Sequence, residues 1–292
     1  MSAIEDTLVK LWPSQGPEAP AGIADAQSTM PPQPSIPRVP SRVRKQISIS
    51  LSTLRSAGYL PEEDQRQRFA DYCERIKRQI IQKALSPGAT EDLRLILLTS
   101  PLPGEGKTFT TLNLALSMAR ECDISVLLVD ADLSRADVSR VLGVQDEPGL
   151  VGALRHDRRD VESLVVGTDV PGLEILPAGA RVENVAELVA SARMREVAAR
   201  LTGSNPHRLV LFDSPPLLAS SEARALAQIP GQIVLVVRAG QTPRQAVLDA
   251  IAHLDKKKLQ GLVLNDAYST SEDGYYGYSA RGATQQPVAK AD

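Results

Sequence analysis

The sequence predicts an α/β fold with a mostly parallel β-sheet that is covered by helices on both faces. Short runs rich in leucine or β-branched residues alternate along the chain with stretches whose apolar residues follow helical spacing. The strand candidates are apolar throughout, which is typical of parallel strands buried on both faces by crossover helices. Such sheets bind ligands at the carboxyl ends of their strands, so residues that follow the strands are the first candidates for a functional site.

Six strands and three long helices are predicted. The helix 107–119 has apolar residues at the i, i+3, i+4 and i+7 positions, and a second helix with that spacing is predicted over 185–201. A polar helix with isoleucines on one face is predicted over 64–84. The predicted strands are 93–99, 124–130, 173–176, 208–213, 233–238 and 259–264.

Length, charge balance and cysteine count limit the classes of protein to which the chain could belong. A chain of 292 residues is long enough for one domain of about 200 residues with appendages. The 33 basic and 35 acidic residues nearly cancel, which gives no bulk electrostatic reason to bind nucleic acid. The two cysteines, Cys73 and Cys122, form no metal-ligand or redox motif, in keeping with a reducing cytosol.

The sequence contains no membrane-spanning or targeting signal. No apolar run approaches the roughly 20 residues that cross a bilayer, and the opening residues have neither the basic region nor the apolar core of a signal peptide. We therefore expect a cytoplasmic protein whose membrane association comes through a partner or a surface patch.

Four segments are predicted along the chain. Residues 64–266 form the α/β domain. Residues 1–12 have apolar residues at helical spacing and are either a frayed terminus or a short amphipathic helix that docks on a partner. Residues 13–45 contain eight of the 21 prolines and are expected to form a disordered linker. Residues 267–292 are expected to form a flexible tail.

A phosphate-binding loop follows the first predicted strand, where the chain reads TSPLPGEGKT and continues into a helix. Gly104 and Gly106 let the backbone fold tightly and present N–H groups to phosphate oxygens. The helix N-terminus adds its partial positive charge. Lys107 can reach the β- and γ-phosphates, and the Thr108 hydroxyl can bind Mg²⁺.

One position departs from the general pattern G-x-x-x-x-G-K-[ST], because Pro101 stands where the pattern has its first glycine. A G-x-G-K-T string could arise by chance in a surface turn, but a loop between a buried strand and a helix favours nucleotide binding. The sequence thus predicts ATP and Mg²⁺ as cofactors. The predicted nucleotide-binding residues are Gly104, Glu105, Gly106, Lys107, Thr108 and Phe109.

Acidic residues end two further predicted strands. Asp130 and Asp132 close the strand 124–130, and residues i and i+2 of an extended chain project to the same side, so both carboxylates can face the phosphate loop. Asp213 closes the strand 208–213. A triphosphate-bound Mg²⁺ needs only one or two carboxylates. Three therefore indicate a further group, one that accepts or orients the proton of a hydroxyl in phosphoryl transfer.

We assign Thr108, Asp130 and Asp213 to magnesium and its waters, and Asp130 and Asp132 also to substrate orientation. Each aspartate alone could be a solvated turn residue or a helix cap. Beside the phosphate loop, the three together favour catalysis. The predicted catalytic residues are Lys107, Asp130, Asp132 and Asp213.

Tyrosines concentrate at the C-terminal end, where four of the six lie within the last 25 residues among Gly, Ser, Asp and Glu. Side chains in a mobile tail bury nothing, so core packing does not explain these tyrosines. The alternative is an adhesive low-complexity end, but beside a Mg·ATP site phosphoacceptors are the better inference. The predicted acceptors are Tyr268, Tyr275, Tyr276 and Tyr278.

Together these features resemble the bacterial tyrosine kinases, or BY-kinases, of exopolysaccharide export and chain-length control. The resemblance covers about residues 71–278 and rests on TSPLPGEGKT, on VLLVDADLSR (the second acidic motif of that family, Walker A′), on LVLFDSPP and on the tyrosine cluster. The stretches LPAGARVENVAELVASARM and GLVLN are similar to the same family. The opening MSAIEDTLVKL resembles the start of cytoplasmic autokinases encoded with exosortase-type systems.

This resemblance implies ATP-dependent tyrosine autophosphorylation in trans within a ring-like oligomer. It also implies activation by the cytoplasmic end of a membrane chain-length regulator, at the inner face of the plasma membrane, and a cognate phosphatase. Asn265 matches a position that reads adenine in related ATPases. Two places depart from the family: Leu133-Ser134-Arg135 replaces x-Arg-Arg, which passes the arginine role to Arg135, and residues 74–78 match the oligomerisation motif E-E-x-R-x-L-R only loosely.

The competing prediction is an ATPase switch of the ParA/MinD type without kinase activity. Those proteins resemble the same core but have a signature lysine where this chain has Leu102. MinD-type members end in an amphipathic membrane helix, whereas residues 279–292 are polar and form no such face. A non-enzymatic scaffold that uses nucleotide as a latch is a further alternative, against which the intact lysine, threonine and aspartates argue.

Overall fold

The computed structural model describes residues 45–155 and 160–267, and this part of the chain contains one eight-stranded β-sheet. Its strands are β1 (Gln46–Ile47), β2 (Leu95–Thr99), β3 (Ser125–Asp130), β4 (Val166–Thr168), β5 (Leu173–Leu176), β6 (Arg208–Asp213), β7 (Gln232–Arg238) and β8 (Leu259–Asn265). They lie in the order β1-β4-β5-β3-β6-β2-β7-β8. All neighbours are parallel except β4 and β5. The predicted α/β fold with a mostly parallel sheet is confirmed.

Helices cover both faces of this sheet. They are α1 (Leu51–Ser56), α2 (Arg66–Ala84), α3 (Lys107–Met118), α4 (Asp137–Val141), α5 (Gly149–Arg155), α6 (Val185–Ala190), α7 (Ala192–Gly203), α8 (Ser221–Leu226) and α9 (Arg244–Ala252), with 3₁₀ turns at Glu91–Arg94 and Val161–Leu164. Alternate residues of each strand point to opposite faces. One core therefore packs against α1 to α4 and the other against α5 to α9.

The sheet begins before residue 64, where the sequence places the start of the domain. Strand β1 pairs with β4 in parallel, and α1 inserts the fully buried side chain of Leu54 into the core beneath α2 and α3. A two-residue strand is too short to show a hydrophobic period. The predicted N-terminal helix 1–12, residues 13–44 of the predicted linker and residues 268–292 of the predicted tail lie outside the described residues.

The prediction of one helix over 185–201 is wrong at Ser191. The chain forms α6 and α7 with Ser191 between them in an extended conformation. Its hydroxyl accepts a hydrogen bond from the Met194 N–H at 3.2 Å, which is the capping arrangement that starts a new helix. The apolar spacing continues across the break because both helices pack on the same core.

Within the described ranges, no helix has both the length and the apolar character required to cross a lipid bilayer.

Candidate active site

The phosphate loop connects β2 to α3 at the carboxyl edge of the sheet. Gly104 has φ +80° and Gly106 has φ +86°, in the left-handed region that L side chains rarely adopt. An added Cβ at Gly106 would lie 2.0 Å from Nδ2 of Asn265, so the Asn265 side chain would have to move. The Asn265 amide donates to the carbonyl of Glu105 at 3.1 Å. The end of β8 therefore contacts the phosphate loop directly.

The buried side chain of Glu105 holds the loop in shape. Its two oxygens accept hydrogen bonds from the Leu102 N–H, at 2.9 Å, and from the Thr242 hydroxyl. Thr242 in turn accepts from the Arg238 N–H at 3.0 Å, at the end of β7. The Glu105 carboxylate thus faces the protein, so nucleotide contact by this residue falls to its backbone.

Asp130 and Asp213 end neighbouring strands and are paired in register between β3 and β6. Two positions earlier in each strand, Leu128 and Leu211 lie in the core that packs against α3. Because side chains at i and i+2 share a face, both carboxylates project towards α3. Two acidic side chains are therefore side by side next to the phosphate loop.

Asp213 is tied to the first turn of α3. Its Oδ2 accepts a hydrogen bond from the Thr108 hydroxyl at 2.8 Å, and its Oδ1 accepts from the Thr111 hydroxyl at 3.0 Å. Burial raises the pKa of Asp213 to about 6, although the Lys107 charge and the two hydroxyls act in the opposite direction. Thr108 is thus already placed beside the acid with which it would share a metal ion.

Asp130 has one satisfied and one unsatisfied oxygen. Its Oδ2 accepts from the Ser139 N–H at 2.8 Å and from the Ser139 hydroxyl at 2.6 Å. Its Oδ1 is buried and has no hydrogen-bond partner in the described part of the chain. Burial, and then the charge of Asp213, raise the pKa of Asp130 to about 7. A buried carboxylate oxygen without a donor fits a cation ligand.

Asp132 and Lys107 lie on the same edge. Asp132 is buried, and its Oδ1 accepts from the Arg135 N–H at 3.2 Å. Burial raises the pKa of Asp132, against the Arg135 hydrogen bond and the charge of Lys107. Lys107 is 7% exposed, and its charge acts on both Asp132 and Asp213. The structure therefore brings the lysine, Thr108 and the three aspartates together.

A magnesium ion would need ligands from the nucleotide at this site. Within residues 45–155 and 160–267, no group of three His, Cys, Asp or Glu side chains could hold a metal ion. An Mg²⁺ bound to a triphosphate takes one or two carboxylates, and phosphate oxygens and water complete its six positions. The protein groups that fit this role are the Thr108 hydroxyl, the Asp213 carboxylate and the Oδ1 of Asp130.

Comparisons with known proteins agree with this geometry. The family model described as "AAA domain" matches residues 94–259. Tyrosine-protein kinase YwqD of Bacillus subtilis is 33% identical over 189 residues, which are 63% of this chain and 78% of YwqD. The chain belongs to the bacterial tyrosine-protein kinases. The predictions of a BY-kinase, and of a P-loop protein-tyrosine kinase as the class of enzyme, are thereby confirmed.

Other kinases share the same core. The putative tyrosine-protein kinase EpsB of Ralstonia nicotianae is 33% identical over 207 residues, which are 68% of this chain but only 27% of EpsB. The chain thus spans about a quarter of that longer relative. The solved kinase domain of VpsO is 28% identical, with a TM-score of 0.59 over 71% of this chain and 100% of the VpsO domain.

In this BY-kinase the side chain of Phe109, a predicted nucleotide-binding residue, packs against a neighbouring helix. The ring of Phe109 packs edge-on against Phe69 of α2, with centroids 5.0 Å apart, so a nucleotide contact at position 109 would come from the backbone. The predicted phosphoacceptors lie outside the described residues; they are Tyr268, Tyr275, Tyr276 and Tyr278.

Three hydroxyl residues of the candidate site were not identified from the sequence: Thr111, Ser139 and Thr242. Thr111 could have been predicted from the sequence, since it lies three residues after Thr108 and therefore on the same face of the helix. The Thr242 hydroxyl meets Glu105 from 137 positions away, and no local pattern marks that contact. Ser139 lies nine positions after Asp130, beyond an irregular turn.

Proposed function

We propose that this chain is an ATP-dependent protein-tyrosine autokinase. It transfers the γ-phosphoryl group of ATP to the C-terminal tyrosine cluster of another copy, and thereby regulates exopolysaccharide polymerisation or export. The observation that supports this most is the in-register pairing of Asp130 with Asp213 beside the phosphate loop. Three buried acids with raised pKa values, Asp130, Asp132 and Asp213, lie next to a lysine and exceed the one or two carboxylates that nucleotide-bound magnesium requires.

The loop and α3 bind the triphosphate. Backbone N–H groups around Gly104 and Gly106 would donate to phosphate oxygens, and the Lys107 ammonium would neutralise charge on the β- and γ-phosphates. When bound at Thr108, Asp130 and Asp213, magnesium supplies positive charge that stabilises the transferred phosphoryl group. The Glu105 carboxylate keeps this loop shaped for the ligand.

Asp130 and Asp132 receive and orient the acceptor hydroxyl. A tyrosine hydroxyl has a pKa of about 10, and an ordinary aspartate has one of about 3.9. Burial raises the pKa of Asp132 above its usual value, which makes proton transfer from the hydroxyl to this carboxylate less unfavourable. As the tyrosine oxygen bonds to the γ-phosphorus, its proton passes to a carboxylate. The bond from the γ-phosphorus to the β,γ-bridging oxygen breaks and leaves ADP.

The family resemblance extends the proposal to partners. The cytoplasmic end of a membrane chain-length regulator would activate the kinase and hold it at the inner face of the plasma membrane. Copies of the chain would assemble into a ring through α2, where residues 74–78 loosely match the oligomerisation motif of the family. A cognate phosphatase would reverse the modification.

Phosphorylation of the purified full chain tests the proposal. The protein is incubated with Mg·ATP, with and without a peptide from the cytoplasmic end of a chain-length regulator, and its intact mass is followed. We expect added phosphate that disappears in Lys107→Ala and in the variant with all four tail tyrosines changed to phenylalanine. The matched control Lys256→Ala, at an exposed lysine, keeps the label. ATP hydrolysis without phosphotyrosine, even with the peptide, would favour the ATPase switch.

A further inference from the structure

A basic cleft lies beside the candidate active site. It has a volume of about 310 Å³ and is lined by Arg135, Asp137, Arg140 and Arg181. With three guanidinium groups and one carboxylate, its lining has a net charge of +2. All three arginines are exposed, so an anionic ligand can reach them from solvent.

Three separate pieces of chain build this cleft. Arg135 lies in the turn after β3, three residues beyond Asp132. Asp137 and Arg140 lie on α4 and form an i, i+3 ion pair. Arg181 lies between β5 and α6. Guanidinium groups from separate elements can surround an anion, whereas a single basic helix face presents its charges in a row.

The cleft adjoins the acceptor side of the site. The charges of Arg135 and Asp137 both act on the pKa of Asp132, the acid assigned to acceptor orientation. The charges of Asp137 and Asp213 both raise the pKa of Tyr59, in addition to the larger effect of burial. A ligand bound in the cleft would therefore lie next to the aspartates and to the side of the phosphate loop.

We propose that this cleft binds the acidic pair Glu272–Asp273 in the tail of a second copy of the chain. The inference rests on the proposed autokinase function and names how its substrate segment is recognised. The tail reads SEDGYYGY, with two carboxylates just before the first tyrosine pair. Arginine binds carboxylates through paired hydrogen bonds. Three residues span at most about 11 Å, so a bound Glu272 holds Tyr275 close to the cleft.

The topology favours a tail from another copy. Strand β8, where the tail begins, is separated from β5 by four strands. At about 4.8 Å for each of five inter-strand steps, the two strands end about 24 Å apart. The seven residues from Asn265 to Glu272 span at most about 25 Å. The chain's own tail would therefore have to run back across the phosphate loop to bring Glu272 to Arg181, a path that the tail of a second copy need not take.

Peptide binding without ATP tests the docking. The full chain is prepared with Glu272→Gln and Asp273→Asn, so that its own tails do not compete. Labelled peptides of residues 269–280 are compared in the native form, in the neutral form with the same two substitutions, and in the neutral form phosphorylated at Tyr275. We expect the native peptide to bind at least about tenfold tighter than the neutral one, as loss of charged hydrogen bonds predicts.

Arginine variants assign the effect to the cleft. Arg181→Gln and Arg135→Gln should each reduce the preference for the native over the neutral peptide, while Arg120→Gln, at an exposed arginine outside the cleft, should leave it unchanged. Equal binding of the native and neutral peptides would overturn the proposal. A phosphorylated neutral peptide that binds more tightly than the native one would also overturn it, because the cleft would then be a phosphate site. A native-peptide preference in a protein without kinase activity would refute the autokinase and leave the docking intact.

Discussion

At Asp130 and Asp213 the kinase buries two neighbouring acids. Burial raises the pKa of Asp130 to about 7 and that of Asp213 to about 6, from about 3.9 in an unfolded chain. A carboxyl group with a higher pKa in the folded state binds its proton more tightly there. Its stabilising contribution is therefore complete below about pH 4 and is lost as the pH rises through about 6 to 7.

The loss of stability with rising pH can be measured. In EDTA and without nucleotide, we expect the free energy of unfolding to fall between pH 5 and pH 8 by about 2 kcal/mol more in the native chain than in Asp130→Asn. Urea denaturation at both pH values measures the difference, and Asp64→Asn, at an exposed carboxyl, serves as the control. An equal fall in the native chain and in Asp130→Asn would show that Asp130 is not desolvated.

Among the elements, the five-residue helix α4 connects three parts of the site. Ser139 on α4 donates to Asp130 at the end of β3 and accepts from the Ala178 N–H, after β5, at 2.9 Å. This single hydroxyl therefore fixes both the orientation of the carboxylate and the position of the loop that leads to Arg181.

Removal of that hydroxyl should affect stability and activity together. Ser139→Ala leaves the buried Ala178 N–H without its acceptor, so we expect a loss of about 1–3 kcal/mol in the free energy of unfolding. Phosphotyrosine formation at saturating ATP should also fall, because Asp130 loses a donor to its Oδ2. Denaturation curves and initial rates measure the two effects. Ser134→Ala, in the exposed turn before α4, should change neither quantity; a Ser139→Ala protein that matches it would remove Ser139 from the site.

Elements with a long local pattern could be predicted from the sequence. Strands β5 and β6 have their expected bounds, because mostly apolar runs flanked by glycine, proline or charged residues are visible without the fold. Strands β1 and β4 could not be predicted, since two or three residues show no period, and β4 is defined by its antiparallel pairing with β5. The break at Ser191 was hidden because serine also occurs inside helices.

The candidate site also contains residues that the sequence could predict and contacts that it could not. Lys107, Asp130 and Asp213 could be found because the loop motif and the acids at strand ends are local patterns. Their register could not, because it depends on which strands become neighbours. The Glu105–Thr242 contact and the approach of Arg181 to Arg135 join positions far apart in the chain, so only the fold could show them.

For the molecule as a whole, residues 45–63 belong to the same structural unit as the predicted domain. Leu54 on α1 is 1% exposed and lies in the core shared with α2 and α3. Leu54→Ala should therefore reduce the free energy of unfolding by about 2–5 kcal/mol, through lost burial and the cavity that remains.

The same helix provides the control. Leu51 is 51% exposed, so Leu51→Ala makes the identical chemical change with little lost burial and should cost less than about 1 kcal/mol. Thermal or urea unfolding measures both variants. Similar losses in the two would mean that α1 does not pack on the domain in solution, and a chain beginning at residue 64 would then be as stable as one beginning at Lys45.

The two hydrogen bonds to the Glu105 carboxylate should affect how fast nucleotide exchanges. Because Thr242 and the Leu102 N–H hold that carboxylate, the loop has its shape before any ligand arrives, and little backbone entropy remains to be lost on association. Nucleotide should then bind without a rearrangement of the loop, and the lifetime of the ADP complex would be set by the dissociation rate of ADP.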